Sequence, residues 1–316
     1  IKMASNENPL GPSPLALEAI TGVLPEIYLY PDANCFELKQ RLADYYKVST
    51  DSILIGNGSD ELLKLLAEAF INKHDQVIFA QPTFSEYEFV SLIMGAECIK
   101  VPLKNYTLDL DATLQAITPK TKIIFVCNPS NPTGTIIESE NISVFMDQVP
   151  DDIIVVFDEA YSEYAENPNF PDSLAYVRAG RNVIVSHTFS KIYGLAALRA
   201  GYAITTPSIA QAIETVTEPF NVNTLAQVGA LAALDDREHV IKSRQVNHDG
   251  KQFLYAEFSR LGLEYVPTEA NFILVDCGMN CQTVFSELLK LGIIVRTCDH
   301  FGFPNSIRVT VGKAED

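Results

Sequence analysis

The sequence predicts an α/β protein built on a largely parallel sheet, with a smaller α+β unit beside it. Three observations carry that expectation. Short apolar, β-branched runs lie between Lys122 and Asn128, Asp152 and Asp158, and Asn182 and His187. Their length and composition suit strands buried on both faces. Helix-like stretches at Asp60–Ile71, Ser139–Pro150 and Thr224–Asp235 lie between and around them, which is the βαβ pattern. After about residue 240 the texture changes to helix (Gly250–Gly262), strand (Asn271–Asp276), helix (Gln282–Gly292) and two strands (Ile293–Arg296 and Ser306–Val311).

A chain of 316 residues is more than one compact core usually absorbs, so two units are expected. Residues 30–240 form the larger one in this reading. Residues 241–316 form the smaller, joined by residues 1–29, which are rich in Asn, Pro and Gly and too few to fold alone. With 47% hydrophobic residues and no polar run of like charge, the whole chain is expected to be globular.

A formal net charge of −17 argues against a nucleic-acid partner, whose affinity would draw on clustered Lys and Arg. Any anionic ligand must then be held by a few local cations. Six cysteines and five histidines are scattered with no Cys-x-x-Cys pair, so neither a metal site nor a disulfide framework is expected. The cysteines read as small apolar residues. No apolar run is long enough to span a bilayer and the start is not signal-like, so a cytoplasmic enzyme is expected. Residue 1 is Ile, and Gly312–Asp316 reads as the start of a helix, so further residues at both ends are expected.

Each apolar run ends in a polar segment. In open α/β sheets the ligand crevice lies outside the carboxyl ends of the strands. Gly56-Asn57-Gly58-Ser59-Asp60-Glu61 opens a Leu-rich helix, where free N–H groups and the dipole can hold a phosphate. Taken alone it is equally a capped helix with an acidic first turn. Asn128-Pro129-Ser130-Asn131-Pro132-Thr133-Gly134 reads by itself as a good turn. Asp158 ends a buried run, where an ionised carboxylate needs a cation or several donors. Ser186 to Leu195 contains Thr188, Ser190 and Lys191, with Arg199 eight residues beyond the lysine. A lysine so placed can form a Schiff base, and the hydroxyls and Arg199 can bind a phosphate dianion. Asp158 can partner a pyridinium nitrogen.

In this constellation the chain resembles the fold-type I pyridoxal 5′-phosphate (PLP) enzymes of the aspartate aminotransferase superfamily. Ser5-Asn6-Glu7-Asn8-Pro9-Leu10-Gly11-Pro12, Tyr30-Pro31 and Phe301-Gly302-Phe303-Pro304-Asn305 before Arg308 are similar to the histidinol-phosphate aminotransferase branch. The resemblance implies a large domain with a mostly parallel mixed sheet flanked by helices, and a smaller α+β domain. It implies that Lys191 carries the cofactor and moves the substrate proton, that Asp158 keeps the pyridine nitrogen protonated, and that Asn131 and Tyr161 bond the phenolic oxygen. Ser59, Asp60, Thr188, Ser190 and Arg199 would hold the phosphate and Glu61 would join them in binding the cofactor, with Tyr30 reaching that phosphate from the second subunit of a homodimer. Phe84, or less favourably Tyr87, would lie on the ring face.

By the same resemblance Arg308 takes the anionic group of histidinol phosphate or of glutamate. Arg296 is either its assistant or a surface ion-pair member. Asn8 either lines the site or merely turns the chain before Pro9. Relatives often carry Arg at the position of His187, which would leave the phosphate more dependent on Arg199; a strand-end His ordinarily packs or faces solvent. Two sister reactions share this constellation, aromatic amino acid transamination and threonine-phosphate decarboxylation. A PLP-sensing regulatory module would need an upstream DNA-binding region, and nothing basic or helix-turn-helix-like appears in the sequence.

Overall fold

The computed structural model describes residues 1–316. Its helices are α1 (Pro14–Val23), α2 (Phe36–Tyr46), α3 (Ser59–Phe70), α4 (Glu86–Ile93), α5 (Leu110–Gln115), α6 (Ser139–Met146), α7 (Leu174–Arg178), α8 (Pro207–Val216), α9 (Thr224–Asp235), α10 (Arg237–Arg260) and α11 (Cys281–Lys290). The strands are β1 (Ile53–Gly56), β2 (Gln76–Gln81), β3 (Glu97–Lys104), β4 (Thr107–Leu108), β5 (Thr121–Cys127), β6 (Ile154–Asp158), β7 (Val183–Thr188), β8 (Gly201–Thr205), β9 (Glu264–Val266), β10 (Phe272–Asp276), β11 (Arg296–Thr297) and β12 (Ser306–Thr310).

The three apolar runs are β5, β6 and β7, and they lie side by side. They sit inside an eight-stranded sheet of order β1-β8-β7-β6-β5-β2-β3-β4. From β7 through β6, β5 and β2 to β3 the strands are parallel. Strand β8 is antiparallel to both β7 and β1, and β4 returns antiparallel on β3. The sheet is therefore mixed and mostly parallel. Side chains alternate between its faces: Val155, Phe157, Val183 and Val185 enter one core, and Ile154, Val156 and Ile184 the other. Covering both faces requires strands apolar at every position, which is why β6 is buried throughout.

A second, antiparallel sheet has the order β11-β12-β10-β9. Residues 1–6 run along it: Met3 N donates to Ile294 O at 2.7 Å, and Thr310 N donates to Met3 O at 2.9 Å. Helix α1 instead packs on α9 beside the large sheet, so residues 1–29 are divided between the two units rather than joining one. The residue 240 boundary also falls inside a continuous helix. Helix α10 starts at Arg237, where the Asp236 side chain caps it by accepting from His239 N, and Gly250 does not begin a helix. It stands mid-helix where a Cβ would come within 2.4 Å of Val311 Cγ1, so it serves close packing. Of the expected Ile293–Arg296 strand only Arg296 pairs with β12, in a strand that continues to Thr297, while Ile294 bridges Lys2. No helix is long and apolar enough to cross a membrane.

Candidate active site

The carboxyl ends of β5, β6 and β7 open into a cavity of about 320 Å³, roofed by the N-terminal segment and the small sheet. Asp158 is the last residue of β6 and is buried. Its Oδ2 accepts from Tyr87 Oη at 2.6 Å and its Oδ1 from Ala160 N at 3.3 Å. Burial raises the carboxyl pKa, and the Tyr87 and Ala160 hydrogen bonds oppose it without cancelling it. A cation beside this carboxyl would favour its ionised form. Lys191 stands in the loop after β7, its Nζ 3.3 Å from Ser5 O and 5.5 Å from the centre of the Tyr161 ring.

One end of the cavity is built for an anion. Ser59 begins α3 behind Gly58, whose φ is +83°, so the first helical N–H groups are free to point at a ligand. Thr188 and Ser190 bring hydroxyls to the same end. Arg199 Nη2 bonds Asp60 Oδ2 at 2.9 Å, and its Nη1 reaches Ser190 Oγ at 3.4 Å. Two glycines make the cradle possible. A Cβ on Gly58 would lie 2.5 Å from Arg199 Nη2, and one on Gly201 only 2.4 Å from Ser59 N.

The opposite end belongs to the small sheet. Arg308, on β12, is buried, with Nη1 donating to Asn131 Oδ1 at 2.5 Å and Nη2 to Ala4 O at 3.2 Å. Burial lowers its pKa, Tyr161 and Cys298 push the other way, and its Nε has no partner. Because Asn131 accepts through Oδ1, its amide NH2 remains a donor for a ligand. Tyr161 Oη accepts from Asn6 Nδ2 at 3.0 Å. Arg296 is exposed, but it lines the cavity beside Arg308, its partner in the β11–β12 register. Phe84 lines the cavity from the loop before α4.

Five residues singled out in the sequence lie elsewhere, among them Tyr87, whose ring stacks on Phe125 inside the core rather than on the cavity. Glu61 Oε2 accepts from Asn57 N and Asn221 Nδ2, both at 2.6 Å, and so fastens the turn rather than meeting a ligand. Asn8 donates to Ile192 O at 2.6 Å and Ser243 Oγ at 2.8 Å, which ties the N-terminal segment to the lysine loop; Asn6 faces the cavity instead. Tyr30 is 82% exposed and stacks on Phe220, outside the cavity. His187 is buried between Tyr46 and Tyr202. Conversely, Cys127 and His300 line the cavity without having been singled out, and Ser5, Asn6 and Phe301 line it after appearing only as members of longer motifs. Asn6 had one signal, membership of the same motif as Asn8. A larger hollow of about 540 Å³, lined by β4, α5 and α6, holds none of these groups.

The sequence profile of class I and II aminotransferases matches residues 1–316. The chain belongs to that family. It is 56% identical over 313 residues to the histidinol-phosphate aminotransferase of Moorella thermoacetica, covering 99% of this chain and 81% of that protein. It is 46% identical over 316 residues to that of Caldicellulosiruptor saccharolyticus, covering 100% and 88%. Its fold superposes on the histidinol-phosphate aminotransferase of Sinorhizobium meliloti in complex with pyridoxal-5′-phosphate with a TM-score of 0.93 at 27% identity, over 99% of this chain and 86% of that one. Thermus thermophilus aspartate aminotransferase, at 22% identity and TM-score 0.87, shares the fold. An aminotransferase needs a proton carrier, a partner for an electron-withdrawing ring, and a hold on anionic substrates. In this one a lysine, a buried carboxylate and two separated arginine sites open onto one space.

Proposed function

We propose that this aminotransferase exchanges an amino group between histidinol phosphate and 2-oxoglutarate, giving imidazole acetol phosphate and glutamate in histidine biosynthesis, with PLP as cofactor. The observation that carries the reading is a single cavity with Lys191 and Asp158 at its centre and cationic sites at both ends, Arg199 at one and Arg308 at the other. Two anions then fit, a cofactor phosphate and a substrate phosphate or carboxylate. The curated relatives of the same name, matched along nearly the whole chain, support it. The cradle made by Gly58, Gly201 and the start of α3, with donors from hydroxyls, backbone amides and a guanidinium, fits a phosphate.

When bound, PLP supplies an electron sink for the carbon that loses its proton. Lys191 Nζ takes the proton from the substrate Cα and later releases it. Asp158 holds a proton at the ring nitrogen. Asn131 Nδ2 and Tyr161 Oη donate to the phenolic oxygen. The Ser59 and Asp60 amides, Thr188, Ser190 and Arg199 hold the phosphate, and Phe84 covers a ring face and excludes water. Arg308 holds the substrate anion through a planar guanidinium suited to phosphate and carboxylate alike, with Arg296 at its side.

The active unit in this reading is a homodimer, to which each chain lends Tyr30. The exposed Ile27, Tyr28, Leu29, Tyr30 and Phe36, with Phe220 against Tyr30, offer an apolar strip for a second copy. The reading also places the enzyme in the cytoplasm, in keeping with six free cysteines, and divides it into the two units built on the two sheets. The test is an assay of purified protein with PLP. Histidinol phosphate is expected to shift the cofactor absorbance band, with glutamate formed as 2-oxoglutarate is consumed, and to outrank phenylalanine and threonine phosphate in turnover. Absence of turnover with that pair overturns the assignment.

A further inference from the structure

We propose that Tyr87 is a positioning residue for Asp158, its hydroxyl gripping Oδ2 from inside the sheet so that the carboxylate presents its other oxygen toward the cavity. The inference rests on the functional reading above and adds a residue to it. Tyr87 lies on α4, wholly buried, with its ring stacked 4.6 Å from Phe125 of β5 at an interplanar angle of 7°. That packing leaves the ring little freedom, so the 2.6 Å bond from Tyr87 Oη to Asp158 Oδ2 is held from outside the site. Burial, and then Asp158 itself, keep the phenol protonated, which makes it the donor.

The hydroxyl is the informative atom. A phenylalanine would fill the same space against Phe125, and a buried phenol costs stability unless it finds a partner. Here the partner is the one carboxylate proposed to face the cofactor ring. Donation to Oδ2 withdraws charge from the carboxylate and lowers its hold on a proton, so the proton shared with a bound ring nitrogen stays on nitrogen. Phe84, three residues earlier, meets Tyr87 edge-on at 5.7 Å and 86° while lining the cavity. One short segment therefore sets both the ring face and the carboxylate aim.

The experiment uses holoenzyme loaded with PLP labelled with 15N at the ring nitrogen. In wild type the signal is expected between the neutral and protonated pyridine positions, nearer the protonated one. Tyr87→Phe moves it toward neutral pyridine, weakens PLP affinity about tenfold and lowers kcat about tenfold with KM changed less than about twofold, the scale of one lost hydrogen bond to a charged group. Placing 3-fluorotyrosine at position 87 keeps ring and hydroxyl but strengthens the donor, and shifts the signal the other way; this arm stands even if Tyr87→Phe folds poorly. A wild-type protein that binds no PLP overturns the functional reading and this inference with it. Wild type that binds normally, with the nitrogen signal unmoved in both replacements, overturns this inference alone.

Discussion

The ends of β6 and β7 present two faces, each with a buried carboxyl group, and opposite outcomes. On the cavity face, Asp158 is buried but receives Tyr87 Oη and Ala160 N, and Thr188 Oγ1 receives Ser190 N at 3.1 Å. On the core face, one residue along each chain, Glu159 and His187 are equally buried and stand 3.8 Å apart, beyond hydrogen-bond reach. His187 lies between Tyr202 at 5.0 Å and Tyr46 at 5.8 Å, and neither ring nitrogen has a partner. Burial pushes Glu159 up to about 8 and His187 down to about 4, so at neutral pH both are uncharged. Burial that no strong donor set or cation offsets neutralises a titratable group, as at Glu159, where Ser173 opposes it only weakly; burial with donors and room for a cation makes a usable charge. The side-chain alternation of a strand puts both results on adjacent residues.

The largest effect expected to sharpen this contrast is on the cavity side. Lys191→Ala removes the proposed proton carrier and is expected to lower amino transfer by roughly 10³-fold or more. Its melting temperature moves little, since Nζ makes a single long bond to Ser5 O. Asp158→Asn keeps the shape but not the charge, and kcat is expected to fall roughly 10²-fold in steady-state assays. Arg308→Ala strands Asn131 and Ala4 O, and kcat/KM for both anionic substrates should drop by about 10²-fold. Gly201→Ala drives a Cβ against Ser59 N and should cost about 1–3 kcal/mol in urea unfolding, together with weaker phosphate retention.

The smallest effect belongs to the core face. The folded pKa of Glu159 lies above its ordinary value of 4.5, so its share of stability is present below about 4.5 and lost as pH rises through about 8. For His187 the folded pKa lies below 6.5, so its share is present above about 6.5 and lost as pH falls through about 4. Glu159→Gln should flatten the alkaline limb of the unfolding midpoint against pH while turnover stays near wild type. Loss of turnover in that variant would break the division between the faces.

Much of this was legible in the sequence because its signals are local. Strands buried on both faces must be apolar at every position, so β5, β6 and β7 stood out, and polar residues at their ends pointed to the crevice. Helix starts carry caps and glycines, so Ser59 stood out too. Other features depend on distant partners. The direction of β8 leaves no mark on five residues, and the start of α10 was hidden because Gly250 answers to Val311, 61 positions away. Asn6 and Asn8 look alike in the chain, yet Thr310 and Tyr161 engage one and Ile192 and Ser243 the other. Tyr87 could not be told from a ring-face aromatic until Asp158 was found at its hydroxyl.

The sequence by itself determined the α/β class and the set of groups able to hold an anion, a ring nitrogen and a proton, because those follow from period, spacing and side-chain chemistry, and its motifs carried the resemblance to the aminotransferases. Only the tertiary structure decided which of those groups share a cavity, which asparagine enters it and which buried acid meets a donor. Contacts between residues far apart in the chain depend on how the two sheets and the N-terminal segment close on each other, and no local pattern records that.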